Sequence, residues 1–119
     1  MREYALTLSL LLATTGAYAA GDADHGKTLY ATKCAACHSL DYNGVGPAHK
    51  GVFGRKAGSA EGYTYSPALQ ASGLVWNEAN LNRWLANPAK LVPGQKMGIA
   101  VPDAGERSDL IAYLKAAGK

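Results

Sequence analysis

The chain carries its only two cysteines three positions apart, in the run Cys34-Ala35-Ala36-Cys37-His38. A histidine directly after such a pair is the signature of covalent haem c attachment. Each thiol forms a thioether with one vinyl group of the haem, and the next residue brings an imidazole nitrogen to the iron. The motif therefore predicts that the chain folds around one flat, apolar porphyrin, with His38 as the proximal iron ligand.

A pair of cysteines at this spacing can also form a disulfide or half of a zinc site. A redox-active disulfide of the thioredoxin type would require a βαβ pattern, and the sequence has none that we can identify. A zinc site would require a second pair of ligands, and the remaining histidines, His25 and His49, do not form such a pair. Haem attachment is thus the favoured interpretation.

The N-terminus is typical of an export signal. Residues 4–13 are mostly apolar but too few to span a bilayer, and small residues follow them up to Ala17-Tyr18-Ala19. We predict a cleavable signal peptide over 1–19 and one domain over 20–119. In a Gram-negative host this places the protein in the periplasm, where haem attachment is expected. An uncleaved anchor or a buried helix is the alternative.

Charge and length restrict the classes of partner. Twelve basic and nine acidic side chains give a net charge of +3, and no basic run or interleaving with aromatic residues indicates nucleic acid binding. Both cysteines are used by the haem, so no disulfide framework remains. A chain this short forms a single small domain, in which a porphyrin would supply much of the apolar core.

Hydrophobic spacing predicts an all-α domain. A helix that starts at Asp22 would bring Gly26, Leu29, Tyr30 and Cys34 to one face and deliver the chain to the first cysteine. Glycines and scattered polar residues over 40–62 break any period, so that stretch is predicted to be a long loop folded around the cofactor.

Four further helix starts can be identified in the C-terminal half. Each combines a capping residue with proline at the next position or with an apolar period. The starts are Ser66-Pro67, Asn77, Asn87-Pro88 and Asp103. Asp103 with Glu106 three residues later predicts a capping box, and the last helix has an apolar stripe. The stripe consists of Leu110, Ile111, Leu114 and Ala117.

A second iron ligand is expected opposite His38, and Met97 is the only methionine after the predicted leader. It lies in a loop that begins with Pro93 and has a glycine on each side, which suits the presentation of one side chain inward. Core packing is the alternative role for a lone methionine. Ligation by His25 or His49 is disfavoured, because the first resembles a surface residue and the second follows His38 too closely to reach the other side of the ring.

The chain resembles class I cytochrome c of the mitochondrial and short bacterial type over nearly all of residues 20–119. The matching segments are Lys33–His38, Gly46-Pro47, Gly51–Gly58, Gly62–Tyr65, Trp76, Asn87-Pro88, Pro93–Met97 and Asp109–Leu114. They occur in the order that the family has, which is more specific than the attachment motif alone.

The resemblance implies roles for particular residues. Cys34 and Cys37 would hold the haem, and His38 and Met97 would bind the iron. The Pro47 carbonyl would accept a hydrogen bond from the other ring nitrogen of the histidine. The family positions around the buried propionate correspond to Arg55, Tyr65 and Trp76. Gly26 and Tyr30 correspond to the places where the first helix crosses the last near Leu110 and Tyr113.

Two positions depart from the family pattern. Trp84 stands where the family commonly has a tyrosine whose hydroxyl reaches the methionine sulfur, so that hydrogen bond is not carried over. Ile99 occupies the place of an aromatic residue beside the exposed haem edge. Partner contacts at that edge are therefore not carried over either.

These features predict one-electron transfer by a monomer between transient redox partners of a respiratory or photosynthetic chain. Two retained iron ligands would leave no position for a substrate, so no enzymatic activity is expected, and no stable membrane insertion is expected once the leader is removed. A ring of lysines could steer acidic partners to the haem edge. Its candidates are Lys27, Lys33, Lys50, Lys90 and Lys96. A haem enzyme or gas sensor and an anchored subunit of a respiratory complex are the alternatives.

Overall fold

The computed structural model describes residues 21–119. Its helices are α1 (Ala23–Lys33), α2 (Pro67–Ala71), α3 (Glu78–Ala86), α4 (Pro88–Leu91) and α5 (Ala104–Ala117). Within that range the only β pairing is an isolated antiparallel bridge between Lys56 and Val75. The all-α prediction is confirmed for the described residues. The predicted leader and its cleavage site after Ala19 lie outside them.

Every helix begins at a polar side chain whose oxygen accepts hydrogen bonds from backbone N–H groups of the first turn. The five caps are Asp22, Ser66, Asn77, Asn87 and Asp103. Each such cap contributes about 1 kcal/mol, because it satisfies a donor that the helix itself leaves free. The predicted helix starts are therefore confirmed to the residue.

The predicted capping box of α5 forms only in part. Asp103 Oδ1 accepts a hydrogen bond of 2.8 Å from the backbone N–H of Glu106, as expected. The carboxylate of Glu106 does not return to the cap. It pairs instead with Lys33 Nζ at 3.3 Å, so that it joins the start of α5 to the end of α1.

Helices α1 and α5 cross in close contact. A Cβ atom on Gly26 would lie 1.9 Å from the backbone oxygen of Asp109, so only a glycine permits this approach. One turn further on, the rings of Tyr30 and Tyr113 pack with their centroids 5.2 Å apart. Leu110 lies beneath the crossing and is 1% exposed. The predicted crossing and most of the apolar stripe are confirmed.

The carboxylate of Asp109 holds the start of α1 against α5. Its Oδ1 accepts a 2.7 Å hydrogen bond from the backbone N–H of Asp22, and its Oδ2 lies 2.7 Å from His25 Nδ1. The hydrogen bond with Asp109 raises the pKa of His25, and the same bond lowers the pKa of Asp109. His25 is thus a surface residue that links two helices.

The long loop between α1 and α2 contains no helix and is bonded to the segment that precedes α3. Gly54 donates to the backbone oxygen of Trp76, and Trp76 donates back to Arg55, each at 2.8 Å. Gly54 has a φ of 85°, which permits the turn between these two bonds. The loop is consequently fixed beside α3, where Trp76 packs on Trp84 with centroids 5.2 Å apart.

Candidate haem-binding site

A cavity lined mostly by apolar side chains and partly open to solvent lies between α1, α3, α5 and the long loop, with about 990 Å³ of empty space that includes its solvent-exposed part. The apolar part of its wall comes mainly from helices. These residues are Leu69 from α2, Leu81, Trp84 and Leu85 from α3, and Leu110 and Leu114 from α5. The cavity can thus bury a large, flat, apolar group.

The attachment motif forms one wall of this cavity. Cys34 ends α1, and the chain then turns so that the N–H groups of Cys37 and His38 both donate to the Cys34 oxygen, at 3.1 and 2.9 Å. This turn gathers the two thiols and the imidazole in one short stretch of chain. Burial raises the pKa of Cys34 to about 11, so its sulfur is held as a neutral thiol.

The imidazole of His38 is fixed by its neighbours in the following loop. Its Nδ1 donates to the Pro47 carbonyl oxygen at 2.9 Å, as the resemblance implied, which leaves Nε2 free to bind a metal. A Cβ on Gly46 would lie 2.1 Å from His38 Cε1, so a side chain there would occupy the space of the ring. Burial lowers the pKa of His38, against the effect of its bond to Pro47, and this favours the neutral form that binds metals.

The two other histidines lie in different places. His25 is exposed at the start of α1. His49 lies against His38, with ring centroids 3.9 Å apart and 19° between the planes. Since it packs on the His38 ring, His49 is on the same side of the cavity as His38, and it does not face His38 from the opposite side.

Met97 lines the same cavity, half-buried, in the segment that follows α4. Gly94 has a φ of 91° at the turn that starts this segment, and the backbone N–H of Met97 donates to the side chain of Gln95. Lys96 Nζ donates to the Thr64 carbonyl oxygen at 2.8 Å and thereby fastens the segment to the long loop. These contacts hold the thioether side chain at the cavity.

Arg55 provides the strongest polar signal for an acidic group in the cavity. Its two terminal nitrogens donate to the carbonyl oxygens of Ala48 at 3.0 Å and Lys50 at 3.3 Å. Its buried Nε has no hydrogen-bond partner among the described residues. A buried N–H without a partner costs about 1–3 kcal/mol, so a carboxylate such as a haem propionate fits this position well.

Tyr65 and Trp76 surround the same part of the cavity and are both buried. The Tyr65 hydroxyl accepts a 2.9 Å hydrogen bond from the backbone N–H of Ala60, which leaves its own proton free to bond an acceptor. The residues that the sequence associates with the propionate are therefore brought together with Arg55.

The two departures from the family pattern also lie near the cavity. Trp84 is 9% exposed and lines the cavity with its indole packed on Trp76. Ile99 is 48% exposed and lies at an outer opening together with Met97 and two lysines of the predicted ring, Lys33 and Lys96. The opening thus combines an apolar surface with cationic side chains.

His49 and Tyr30 are the site residues whose mutual contact was not predicted from the sequence. The Tyr30 hydroxyl is hydrogen-bonded to His49 Nδ1 at 3.0 Å, and both side chains line the cavity. A signal was present, since His49 lies two residues after the proline that the proximal histidine is expected to contact.

The cavity, the free thiols and the adjacent imidazole define a class: small all-α proteins that hold one haem through thioethers. Comparison with known proteins identifies the family within that class. The sequence model described as Cytochrome c matches residues 23–118. The chain is 46% identical to a cytochrome c of Gibberella zeae over 101 residues, which covers 82% of this chain and 95% of that protein.

Bacterial relatives give the same result. A cytochrome c2 of Rhodoblastus acidophilus is 46% identical over 99 residues, covering 80% of this chain and 92% of that protein. The solved structure of cytochrome cH from Methylobacterium extorquens matches with a TM-score of 0.78 and 51% identity, covering 81% of this chain and 99% of that one. The chain belongs to the cytochrome c family, and it is an electron carrier with covalently bound haem c.

Proposed function

We propose that the carrier holds its iron between His38 and Met97, with the haem joined to Cys34 and Cys37. The observation that supports this most is the bond between His38 Nδ1 and the Pro47 oxygen at 2.9 Å, because it directs a neutral Nε2 to metal binding. Both proposed ligands line one cavity with the first thiol. When bound, the haem iron supplies a couple that accepts and releases one electron.

The protein residues set the conditions for that electron transfer. Imidazole and thioether ligation together favour the reduced state and so raise the reduction potential. Trp76, Trp84 and the leucines of α3 and α5 exclude water from the site, which limits the reorganisation that accompanies a change of charge. Two permanent ligands leave no coordination position for a substrate, so we assign the chain a carrier role without enzymatic activity.

The proposed ligands can be tested by substituting Met97→Ala in the haem-bound protein. We expect the weak far-red charge-transfer band of the ferric form, which reports sulfur on iron, to disappear. Ile99→Ala is the matched control, because Ile99 lies two residues away at the cavity rim and has no proposed role at the iron. Retention of the band in the Met97→Ala protein would contradict the assignment.

We further propose that partners dock at the opening between Lys33, Lys96 and Ile99. All three side chains line this opening, where half-exposed Ile99 adds an apolar surface to the two cations, and Lys33 keeps its pairing with Glu106. A small interface of this kind suits brief encounters of a monomer with acidic partners. The donor and acceptor would belong to a respiratory or photosynthetic chain.

The docking surface predicts a salt-dependent rate of electron transfer. Lys96→Gln should slow the bimolecular reaction with an acidic redox protein at low ionic strength, whereas Lys119→Gln should not, since Lys119 is outside this opening. The difference between the two variants should vanish at high salt. Equal rates for both variants at low salt would contradict docking at this opening.

We also propose that residues 1–19 are removed on export and that the domain over 20–119 works in the periplasm. The small residues Ala17-Tyr18-Ala19 and the need for haem attachment outside the cytoplasm support this proposal. In residues 21–119 no helix has the length and apolar character that a membrane span requires. The intact mass of the exported protein tests the proposal, because a mass equal to residues 20–119 plus one haem is expected. A retained leader would favour an anchored form.

A further inference from the structure

The rings of His49 and His38 are in direct contact, although the attachment motif does not require a residue against His38. Their ring centroids lie 3.9 Å apart with only 19° between the planes, so the rings are stacked. The His49 ring also has a polar contact, since its Nδ1 is hydrogen-bonded to the Tyr30 hydroxyl at 3.0 Å. An imidazole thus lies against the proposed iron ligand and is itself held by a residue of α1.

His49 is anchored from its backbone as well as from its ring. Its N–H donates to the Ser39 oxygen at 2.8 Å, and its own carbonyl oxygen accepts from Val52 at 2.9 Å. Tyr30 in turn is buried in the α1 and α5 crossing beside Tyr113. The ring of His49 is therefore connected to two rigid parts of the fold and has little freedom to turn.

The contacts of His49 define how it can act on His38. Its Nδ1 is hydrogen-bonded to the Tyr30 hydroxyl at its edge, while its ring face lies flat against the His38 ring. His49 therefore acts on His38 by contact and shape.

The bond from His38 Nδ1 to Pro47 leaves one motion of the proximal imidazole open. A single hydrogen bond fixes the direction of Nδ1 but allows the ring to turn about the line of that bond. A flat ring stacked on one face opposes this turn. We propose that His49, anchored by Tyr30, is a positioning residue that fixes the plane of the His38 imidazole, an inference that rests on the proposed iron ligation by His38.

The orientation of the imidazole plane can be measured directly in the ferric protein. Together with the orientation of the opposite ligand, it sets which iron orbital holds the unpaired electron, and hence the order and spread of the haem methyl resonances in the paramagnetic NMR spectrum. A residue that only fills space in the core would change the free energy of unfolding without changing that pattern.

Two double variants of the haem-bound protein separate stacking from core packing. Tyr30→Phe with His49→Phe keeps a flat ring against His38 and leaves no hydroxyl without a partner. Tyr30→Phe with His49→Leu keeps a similar apolar volume but removes the ring. We expect the phenylalanine pair to retain the order of the methyl resonances and the leucine variant to change it.

The far-red band of both variants is recorded in the same samples. Its presence shows that Met97 is still bound, so a failure of the proposed ligand set is distinguished from a failure of the positioning role. Wild-type methyl patterns in both variants, or the same altered pattern in both, would overturn the proposal. Should the leucine variant fail to fold, His49→Gln replaces it, since glutamine can still bond Tyr30 but has no ring. An unchanged pattern in His49→Gln would likewise overturn the proposal.

Discussion

The crossing of α1 and α5 permits a sharp test of how the fold is held, by the substitution Gly26→Ala. An added Cβ would lie 1.9 Å from the backbone oxygen of Asp109, well inside an ordinary contact distance of about 3.5 Å. The opposing atom is backbone and cannot rotate away, so the helices have to separate by roughly 1.5 Å. Overpacking of this kind lowers the free energy of unfolding by about 1–3 kcal/mol. Because the neighbour is rigid, we take the loss as about 3 kcal/mol.

Alanine also gains about 1 kcal/mol over glycine from its helix propensity, so the net loss is about 2 kcal/mol. For a domain of this size that corresponds to a fall in Tm of roughly 8–16 °C. The shift is measured by heating the haem-bound protein and following its helix content by far-ultraviolet circular dichroism. Gly105→Ala is the matched control, since Gly105 is a helical glycine whose added Cβ would lie 3.2 Å from its nearest neighbour, an oxygen of the Asp103 cap, which is a far smaller overlap than that at Gly26.

We expect the Gly105→Ala protein to unfold at the wild-type temperature or slightly above it. If Gly26→Ala had the same Tm as the wild type, the two helices would not be in the close contact described here. Our inference about the crossing would then be wrong, and so would the role assigned to it in holding Tyr30 beside the cavity.

Three further predictions concern charge and space. The hydrogen bond with Asp109 raises the folded pKa of His25 above its ordinary value of 6.5, so the bond stabilises the fold below that pH and loses its effect as the pH rises through the raised pKa. Denaturant titrations in a series of buffers that starts below pH 6.5 and extends upward should show this decline in the wild type and not in His25→Gln. Lys96→Ala removes a 2.8 Å hydrogen bond that fastens the Met97 segment to the long loop, so the far-red band should be lost at a lower denaturant concentration than in the wild type, and an unchanged midpoint would contradict this. Gly46→Ala places a Cβ 2.1 Å from the imidazole ring of the attachment motif, so the yield of haem-bound protein should fall, whereas Gly98→Ala, with no neighbour within 4 Å, should leave it unchanged.

The helices could be predicted from the sequence because their signals are local. A capping oxygen at Asp22, Ser66 or Asn77 acts on N–H groups two or three residues later, and both partners are adjacent in the chain. The attachment motif is equally local. Its spacing is set by the chemistry of thioethers and not by the rest of the fold.

The contacts that were not predicted join residues far apart in the chain. Glu106 has a local partner available at the α5 cap, yet its carboxylate pairs with Lys33 at 3.3 Å, because the crossing brings the end of α1 beside the start of α5. Lys96 bonds to Thr64 for a similar reason, since the segment after α4 passes over the long loop. Neither pairing can be chosen from sequence spacing, because many cations and acceptors are available and only the packed helices select among them.

The proximal imidazole shows how the two kinds of information combine. The identity of His38 follows from the motif alone, but its position depends on the short segment Gly46–His49, which supplies space, a hydrogen bond and a stacked ring. That segment is placed by backbone bonds from Gly46 to Cys37 and from His49 to Ser39, so both of its ends are tied to the motif or to the residue directly after it. The protein therefore places the proposed ligand and its supports on one closed loop, and we infer that the precision of the proposed iron site depends on the register of that loop.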